Sequence, residues 1–460
     1  MSRLALLALV CSALLLPSCQ KPLKEEPWQP KPVAKDYSRP LPPGKLALRK
    51  IPPELYPDFS RAYHDRAGLE QAIRHSLDYL SRPSSQRYFP YGPISHERAA
   101  ASLRAFLDAL QTVRSPQELD DVIRARFDIY QSVGWDGSGT VYFTGYYSPI
   151  FDGRKTRDVT FRYPLYGLPP DLVKDAEGQT LGRRTPDGRI VPYWTRREIE
   201  EQEPLEGCEI AWLKDPFEAY VVTIQGSTRL RLADGSLWEL GYAGNNGHDY
   251  VSVGQRLVED GAIARDELSL QAMLAYFDSH PEQVAPYCWQ NPRFVFFQET
   301  SGGPFGSINV PVTPFRSLAT DKSVFPRACL AFIDTQLPVR DGNRVRTAPY
   351  AGFVLDQDTG GAIRAAGRSD IYMGVGPAAE ALAGRTGSEG ALYYLFVRED
   401  AASTGELGAM GTTRPRRGLP VGSERTGLSP SSPEGTPEPG PGRKSWVCVT
   451  RTEAEPQEGD

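Results

Sequence analysis

The stretch Asp358-Thr-Gly-Gly-Ala-Ile363, followed closely by Arg368-Ser-Asp370-Ile-Tyr-Met-Gly-Val-Gly-Pro377, can be read in three ways. Each reading demands a different fold. Asp358-Thr-Gly360 is the tripeptide that carries the catalytic carboxylate of aspartic proteases, whose chemistry needs two carboxylates sharing one proton. No second such tripeptide occurs, and Gln357 stands where a dimeric protease wants an apolar residue. Gly374-Val-Gly376-Pro-Ala-Ala379 spells a dinucleotide fingerprint, but that motif needs a buried strand before it and a βαβ setting. The preceding Arg368-Ser-Asp370 is polar, so a glycine turn before a short helix is expected instead. The third reading groups Asp321, Asp358 and Asp370. Asp370 precedes Ile371 and Tyr372, where partial burial would raise its pKa, and a neighbouring Asp358 would act in the same direction. A carboxylic acid kept protonated near neutral pH is what glycosidic cleavage requires as general acid. Taken singly, each aspartate is equally compatible with capping a turn.

The pattern around this block is mainly β. Thr140–Tyr147 alternates as a strand closed by Pro149. Further strands are expected at Ala219–Ile224, Arg229–Leu232, Phe294–Gln298, Leu330–Ile333, Gly352–Leu355 and Ala391–Val397. Helical periodicity is confined mostly to the region before them. Leu69, Ile73, Leu77 and Leu80 share one face, as do Leu103, Phe106, Leu107 and Leu110. A third helix opens at Ser115 with Pro116 first and Glu118 closing a capping box. Two more are expected, one capped by Thr195 and Glu198, the other over Ser269–His280 with Leu270, Met273, Leu274 and Phe277 inward. Many short strands with few helices favour barrels or sandwiches over a doubly wound sheet.

The ends differ from the middle. Met1-Ser-Arg3 and the apolar run Leu4–Leu16 read as a secretory signal, too short to span a bilayer comfortably. Leu16-Pro-Ser-Cys19 resembles a bacterial lipoprotein box, which implies an acylated Cys19 as lipid anchor. Residues 20–59 are proline-rich and read as a spacer, and residues 400–460, rich in Pro and Gly, as a disordered tail. The 52 basic and 57 acidic residues leave a formal charge of −5, without the basic excess of a nucleic-acid binder. Five dispersed histidines argue against a histidine-built metal site, and six cysteines are too few for a disulfide scaffold.

From about Tyr63 to Val397 the chain resembles the membrane-bound lytic murein transglycosylase A family. The resemblance rests on colinear segments: Phe143-Thr-Gly-Tyr-Tyr-Ser-Pro149, Tyr163-Pro-Leu-Tyr-Gly-Leu-Pro169 and Tyr193-Trp-Thr-Arg-Arg-Glu-Ile199. It continues through Ile224-Gln-Gly-Ser227, Gly241–Tyr250, Ser269-Leu-Gln-Ala272, Asn291–Phe297, Val310–Pro314 and the two aspartate segments quoted first. It implies a mainly β protein: a double-psi β-barrel catalytic domain from residues 60–148 and 304–399, with N-terminal helices, and an inserted smaller β-barrel-like domain over 149–303. It implies Asp370 as the sole catalytic acid/base, with catalytic Asp358 close by and Asp321 as the third aspartate of the C-terminal module. Thr144, Gly145, Tyr146 and Tyr147, with Gln225, Gly226, Ser227 and Tyr372, would bind substrate along a groove.

The implied reaction cleaves the β-1,4 bond from N-acetylmuramic acid to N-acetylglucosamine in peptidoglycan, giving 1,6-anhydromuramyl products. No cofactor or metal is implied. The partners expected are glycan strands and outer-membrane lipid, with no nucleic acid, for a monomer exported as an outer-membrane lipoprotein facing the periplasm. The rival expectation is a non-catalytic peptidoglycan-binding lipoprotein on the same barrel.

Overall fold

The computed structural model describes residues 35–399, apart from 176–177, 266 and 343. The signal, Cys19 and the 400–460 tail lie outside the described residues. Six strands close into a ring: β1 (Thr140–Ser148), β2 (Ser317–Ala319), β3 (Leu330–Asp341), β4 (Arg344–Asp358), β5 (Arg368–Val375) and β6 (Gly387–Val397). Their order is β6-β3-β4-β2-β5-β1, and β1 pairs back onto β6. The β1/β5 and β2/β4 pairs are parallel and the others antiparallel. Closure leaves no open edge. This ring is the expected double-psi β-barrel.

Helices α1 (Leu69–Ser81), α2 (His96–Thr112) and α3 (Pro116–Arg126) pack with the barrel in one core. Leu69, Ile73, Leu80, Leu103 and Phe106 are buried as their spacing predicts. The Ser115 side chain accepts from Glu118 N–H, but Glu118 reaches back to the N–H of Arg114 rather than that of Ser115. Gln357, fully buried, docks α1 onto the barrel. Its amide donates to Ala72 O and Ser76 Oγ, and its carbonyl accepts from Ser317 Oγ. The polar residue that spoils a protease reading is thus a fully bonded brace.

Between β1 and β2 the chain builds a second sheet, ordered Val295–Glu299, Leu237–Asn245, Ser227–Arg231, Ile150–Arg154, Glu209–Leu213 and Tyr163–Tyr166. A parallel bridge from Gly167 to Phe297 draws its two ends together, giving the barrel-like form. Leu165, Leu213, Leu230, Leu240 and Phe297 fill its core. Helix α4 (Arg196–Gln202) carries the expected Thr195/Glu198 capping box. The helix Leu270–Ser279 also forms, though only Phe277 of its expected inward residues is fully buried.

Three expectations need correction. Ala219–Ile224 is not a strand but part of helix α5 (Pro216–Gln225). Asp215 caps it through Glu218 N–H, Pro216 opens it, and a short unbroken apolar run does not distinguish a buried helix from a strand. Strands β3 and β4 run well past Ile333 and before Gly352, pairing as far as Asp341 and Arg344. Their outer halves mix polar residues with Leu337, Val339 and Val345 and hold Pro338 and Pro349, which hide the strand pattern. The spacer expected to residue 59 is also packed in part. Leu48–Lys50 pairs with Phe127–Ser132, and the Tyr37 ring stacks on Tyr142 at 4.7 Å.

Candidate active site

A groove of about 1940 Å³ is lined from one side by the barrel and from the other by the inserted sheet. Strand β5 carries Asp370 between Ala319 of β2 and Thr144 of β1. Residues two apart on a strand share a face. Arg368, Asp370 and Tyr372 therefore project together, opposite Tyr142, Thr144 and Tyr146 of β1.

The two groove aspartates have opposite surroundings. Asp358, at the end of β4, accepts from Tyr146 Oη at 2.7 Å, Ser307 N at 2.9 Å and Thr359 N at 2.8 Å. Burial raises its pKa, and these three donors pull it back toward ionisation. Asp370 is half-buried, and its Oδ1 is inaccessible and has no hydrogen-bond donor among the described residues. Burial pushes its carboxyl up to about 6. Nearby Arg368 opposes that rise and Asp358 adds to it. Burial raises both carboxyls, but Asp358 has three donors that favour its ionised form and Asp370 has none on its buried Oδ1.

Asp321 has a different task. Its Oδ1 accepts from Ser323 N–H and Oγ–H, and its Oδ2 accepts from Ala365 N–H at 2.7 Å. It pins the loop between β4 and β5, where Ala365 takes a φ of 61°. This is a turn-capping role.

Among the expected substrate-binding residues, Gly145, Tyr146, Gln225, Gly226, Ser227 and Tyr372 line the groove. Gln225 ends α5, Gly226 caps it at φ 73°, and Ser227 opens the next strand, so a helix-to-strand turn delivers all three. Gln225 Oε1 accepts from Tyr147 N–H at 3.3 Å, and Ser227 Oγ lies 2.7 Å from Ser148 Oγ. Tyr372 is 1% exposed and supports Tyr146 from behind, with ring centroids 5.2 Å apart. Tyr147 is not at the groove. One residue on from Tyr146, it turns to the opposite face and packs in the barrel core. Thr144 is not a lining residue either; its Oγ1 is buried and unbonded across the strand from Asp370.

Sequence reasoning missed Arg293, Tyr242, Tyr250, Lys322, Arg364 and Arg368, all of which line the groove. Arg368 could have been found from its i, i+2 spacing to Asp370 on a strand. Arg293 and Tyr250 reach the site only through the tertiary fold. Lys322 is committed elsewhere, to an ion pair with the fully buried Asp356, which also accepts from Thr320 Oγ1 and Tyr394 Oη. Among the described residues no cluster of His, Cys, Asp or Glu could hold a metal ion.

Residues 142–298 match the family model described as the MltA specific insert domain, and residues 316–396 match the 3D domain. The membrane-bound lytic murein transglycosylase A of Escherichia coli K12 is 32% identical over 272 residues, covering 58% of this chain and 69% of that protein. The protein of the same name from Vibrio cholerae is 31% identical over 288 residues, covering 61% and 71%. Two crystal structures share the fold at 27% identity. A membrane-bound lytic murein transglycosylase from Agrobacterium tumefaciens has a TM-score of 0.65, covering 77% of this chain and 99% of its own. E. coli MltA with bound chitohexaose has a TM-score of 0.60, covering 79% and 99%. The chain belongs to the membrane-bound lytic murein transglycosylase A family.

Proposed function

We propose that the protein is a lytic transglycosylase that cleaves the muramyl-to-glucosaminyl β-1,4 bond of peptidoglycan, with Asp370 as its single acid/base. The observation that carries this reading is the contrast between Asp370, lacking any donor to its buried Oδ1, and Asp358, held by three donors in the same groove. Protonated Asp370 donates to the glycosidic oxygen as the bond to C1 breaks. The resulting carboxylate then takes the proton of the muramyl C6 hydroxyl, whose oxygen bonds to C1 and closes a 1,6-anhydro ring. The nucleophile is part of the substrate, so no second carboxylate is needed to activate water. Asp358 contributes negative charge beside the developing oxocarbenium ion. Tyr146 offers an aromatic face to a sugar ring, and Gln225 and Ser227 offer hydrogen bonds from the far wall.

The division into a catalytic barrel (60–148 and 304–399) and an inserted domain (149–303) follows the strand pairings and belongs to this reading. So do an acylated Cys19, an outer-membrane position facing the periplasm and a monomeric state. No described helix is long and apolar enough to cross a membrane.

Digestion of isolated sacculi by the full chain, followed by mass spectrometry, tests the reaction. Anhydromuropeptides are expected. Reducing-end products would make the protein a hydrolase, and intact sacculi would leave a binding protein.

A further inference from the structure

Some arginines on the body of the protein are matched by carboxylates, as Arg61 is by Asp334 and Arg98 by Asp128, while others, such as Arg66 and Arg114, donate only to backbone carbonyls. The groove gathers four arginines that likewise lack a carboxylate partner. Arg293, Arg327, Arg364 and Arg368 all line it, and none forms an ion pair among the described residues. The Nε atoms of Arg327 and Arg368 are buried without a partner. Arg327 has only the Tyr88 ring, 4.0 Å from its guanidinium carbon, and Arg293 donates only to the backbone oxygen of His248. Asp370 acts on Arg368, and exposed Asp249 on Arg293, through space and without an ion pair.

Arg293 and Arg364 come from opposite walls. Arg293 lies just before the inserted strand Val295–Glu299, and Arg364 in the loop from β4 to β5. Both line the one groove, so the two charges face a common space. The barrel loop approaches Arg293 closely. At Gly361 a Cβ would stand 3.1 Å from Arg293 Nε and 3.4 Å from Tyr250 Cβ. Asp321 clamps the same loop at Ala365, so the exposed Arg364 is held on a fixed turn. Two guanidiniums that line one groove and form no ion pair among the described residues are a ready receptor for a carboxylate, since each can donate a bidentate pair of hydrogen bonds.

We propose that Arg293 and Arg364 form a carboxylate-binding site that takes the free carboxylates of the peptide stem attached to the muramyl residue. This rests on the lytic reading of the groove. The N-acetylated sugar rings of a glycan strand are neutral, and its carboxylates sit on the stems. A guanidinium can donate to neutral sugar oxygens, but a stem carboxylate adds the opposite charge that makes the bond a charge-assisted one. The site therefore distinguishes stem-bearing strands from bare ones.

The test uses the full chain carrying Asp370→Asn, so that binding is measured without turnover. Its probes are glycan strands bearing tetrapeptide stems and the same strands stripped by an amidase, with the lactyl carboxylates that hydrolysis leaves then capped as methylamides so that the stripped strand carries no carboxylate. The stem-bearing strands are expected to bind at least fivefold more tightly, with the difference shrinking at high salt. Arg364→Gln and Arg293→Gln each remove that preference and leave affinity for stripped strands unchanged, and Arg364→Lys restores part of it. Equal affinity of the parent for both strands overturns the site, as does equal loss on both strands in folded Arg364→Gln protein. Cleavage by the unsubstituted chain is scored separately. Failure to cut either strand overturns the lytic reading, while the binding comparison still decides the carboxylate site.

Discussion

Thr144 and Asp370 stand opposite each other on β1 and β5, and each buries a polar atom that no described protein group satisfies. A buried hydroxyl opposite a buried acid, both unbonded, leaves Thr144 the capacity to donate to Asp370 once that carboxyl has given up its proton. Thr144→Val keeps the shape and removes the hydroxyl. It should lower kcat about tenfold, the worth of one transition-state hydrogen bond, with little change in melting temperature. Steady-state kinetics and a thermal melt on the same preparation check this.

The acid form of Asp370 is set by burial to persist up to about pH 6. Glycosidic cleavage consumes that form, so kcat/KM should fall tenfold per pH unit above about 6. A pH–rate profile on solubilised glycan measures the limb, and a flat profile through pH 8 would remove Asp370 from the acid role.

The same raised value has a consequence for stability. Folded Asp370 keeps its proton to higher pH than the unfolded chain, so burial of the ionised form costs stability in full above about pH 6. Below the unfolded carboxyl value that cost disappears. Asp370→Asn should therefore abolish cleavage yet stabilise the fold at pH 7.5 by about 2 kcal/mol, with no gain at pH 3.5. Denaturation at the two pH values reads the difference.

Tyr146 donates to Asp358 Oδ2, and that bond lowers the Asp358 pKa against the rise caused by burial. Tyr146→Phe should raise the Asp358 pKa and lower kcat by about tenfold or more, while KM changes less. A matching loss in Asp358→Asn, with no additive loss in the double variant, would show that the two act as a unit.

Lys322 and Asp356 are a buried ion pair beneath the groove. Removing one partner strands the other, so Lys322→Met should destabilise by about 3–5 kcal/mol. Lys322→Met with Asp356→Leu should recover part of the loss. Chemical denaturation of the three proteins is sufficient.

The sequence was most informative where a pattern is local. The faces of α1 and α2, the caps at Ser115 and Thr195, and the alternation of β1 all depend on residues within a few positions of one another. Asp370, Asp358 and Tyr146 were legible because resemblance placed them in one motif set. Helix α5 was misread because Tyr220-Val-Val-Thr-Ile224 is apolar on every side, which suits its burial between two cores and erases the period. The resemblance puts Tyr147 at the groove beside Tyr146, whereas adjacent strand residues face opposite ways and Tyr147 packs in the core. Arg293 and Arg364 lie 71 positions apart, and no local rule joins them; only closure of the ring around the inserted sheet does so.

The seam between barrel and inserted sheet bears on how a polymer can enter. Strand β1 ends at Ser148 and the next strand begins at Ile150, so Pro149 alone separates the two sheets. Pro149 O accepts from Arg229 N and Thr228 Oγ1, and Ser148 O accepts from Gly376 N. Those bonds stitch both walls to a single stiff residue and leave no slack for a hinge. The walls act as fixed jaws. A glycan strand must then slide in lengthwise or settle in through the open side, and it meets an acid whose inner oxygen is already buried before it arrives.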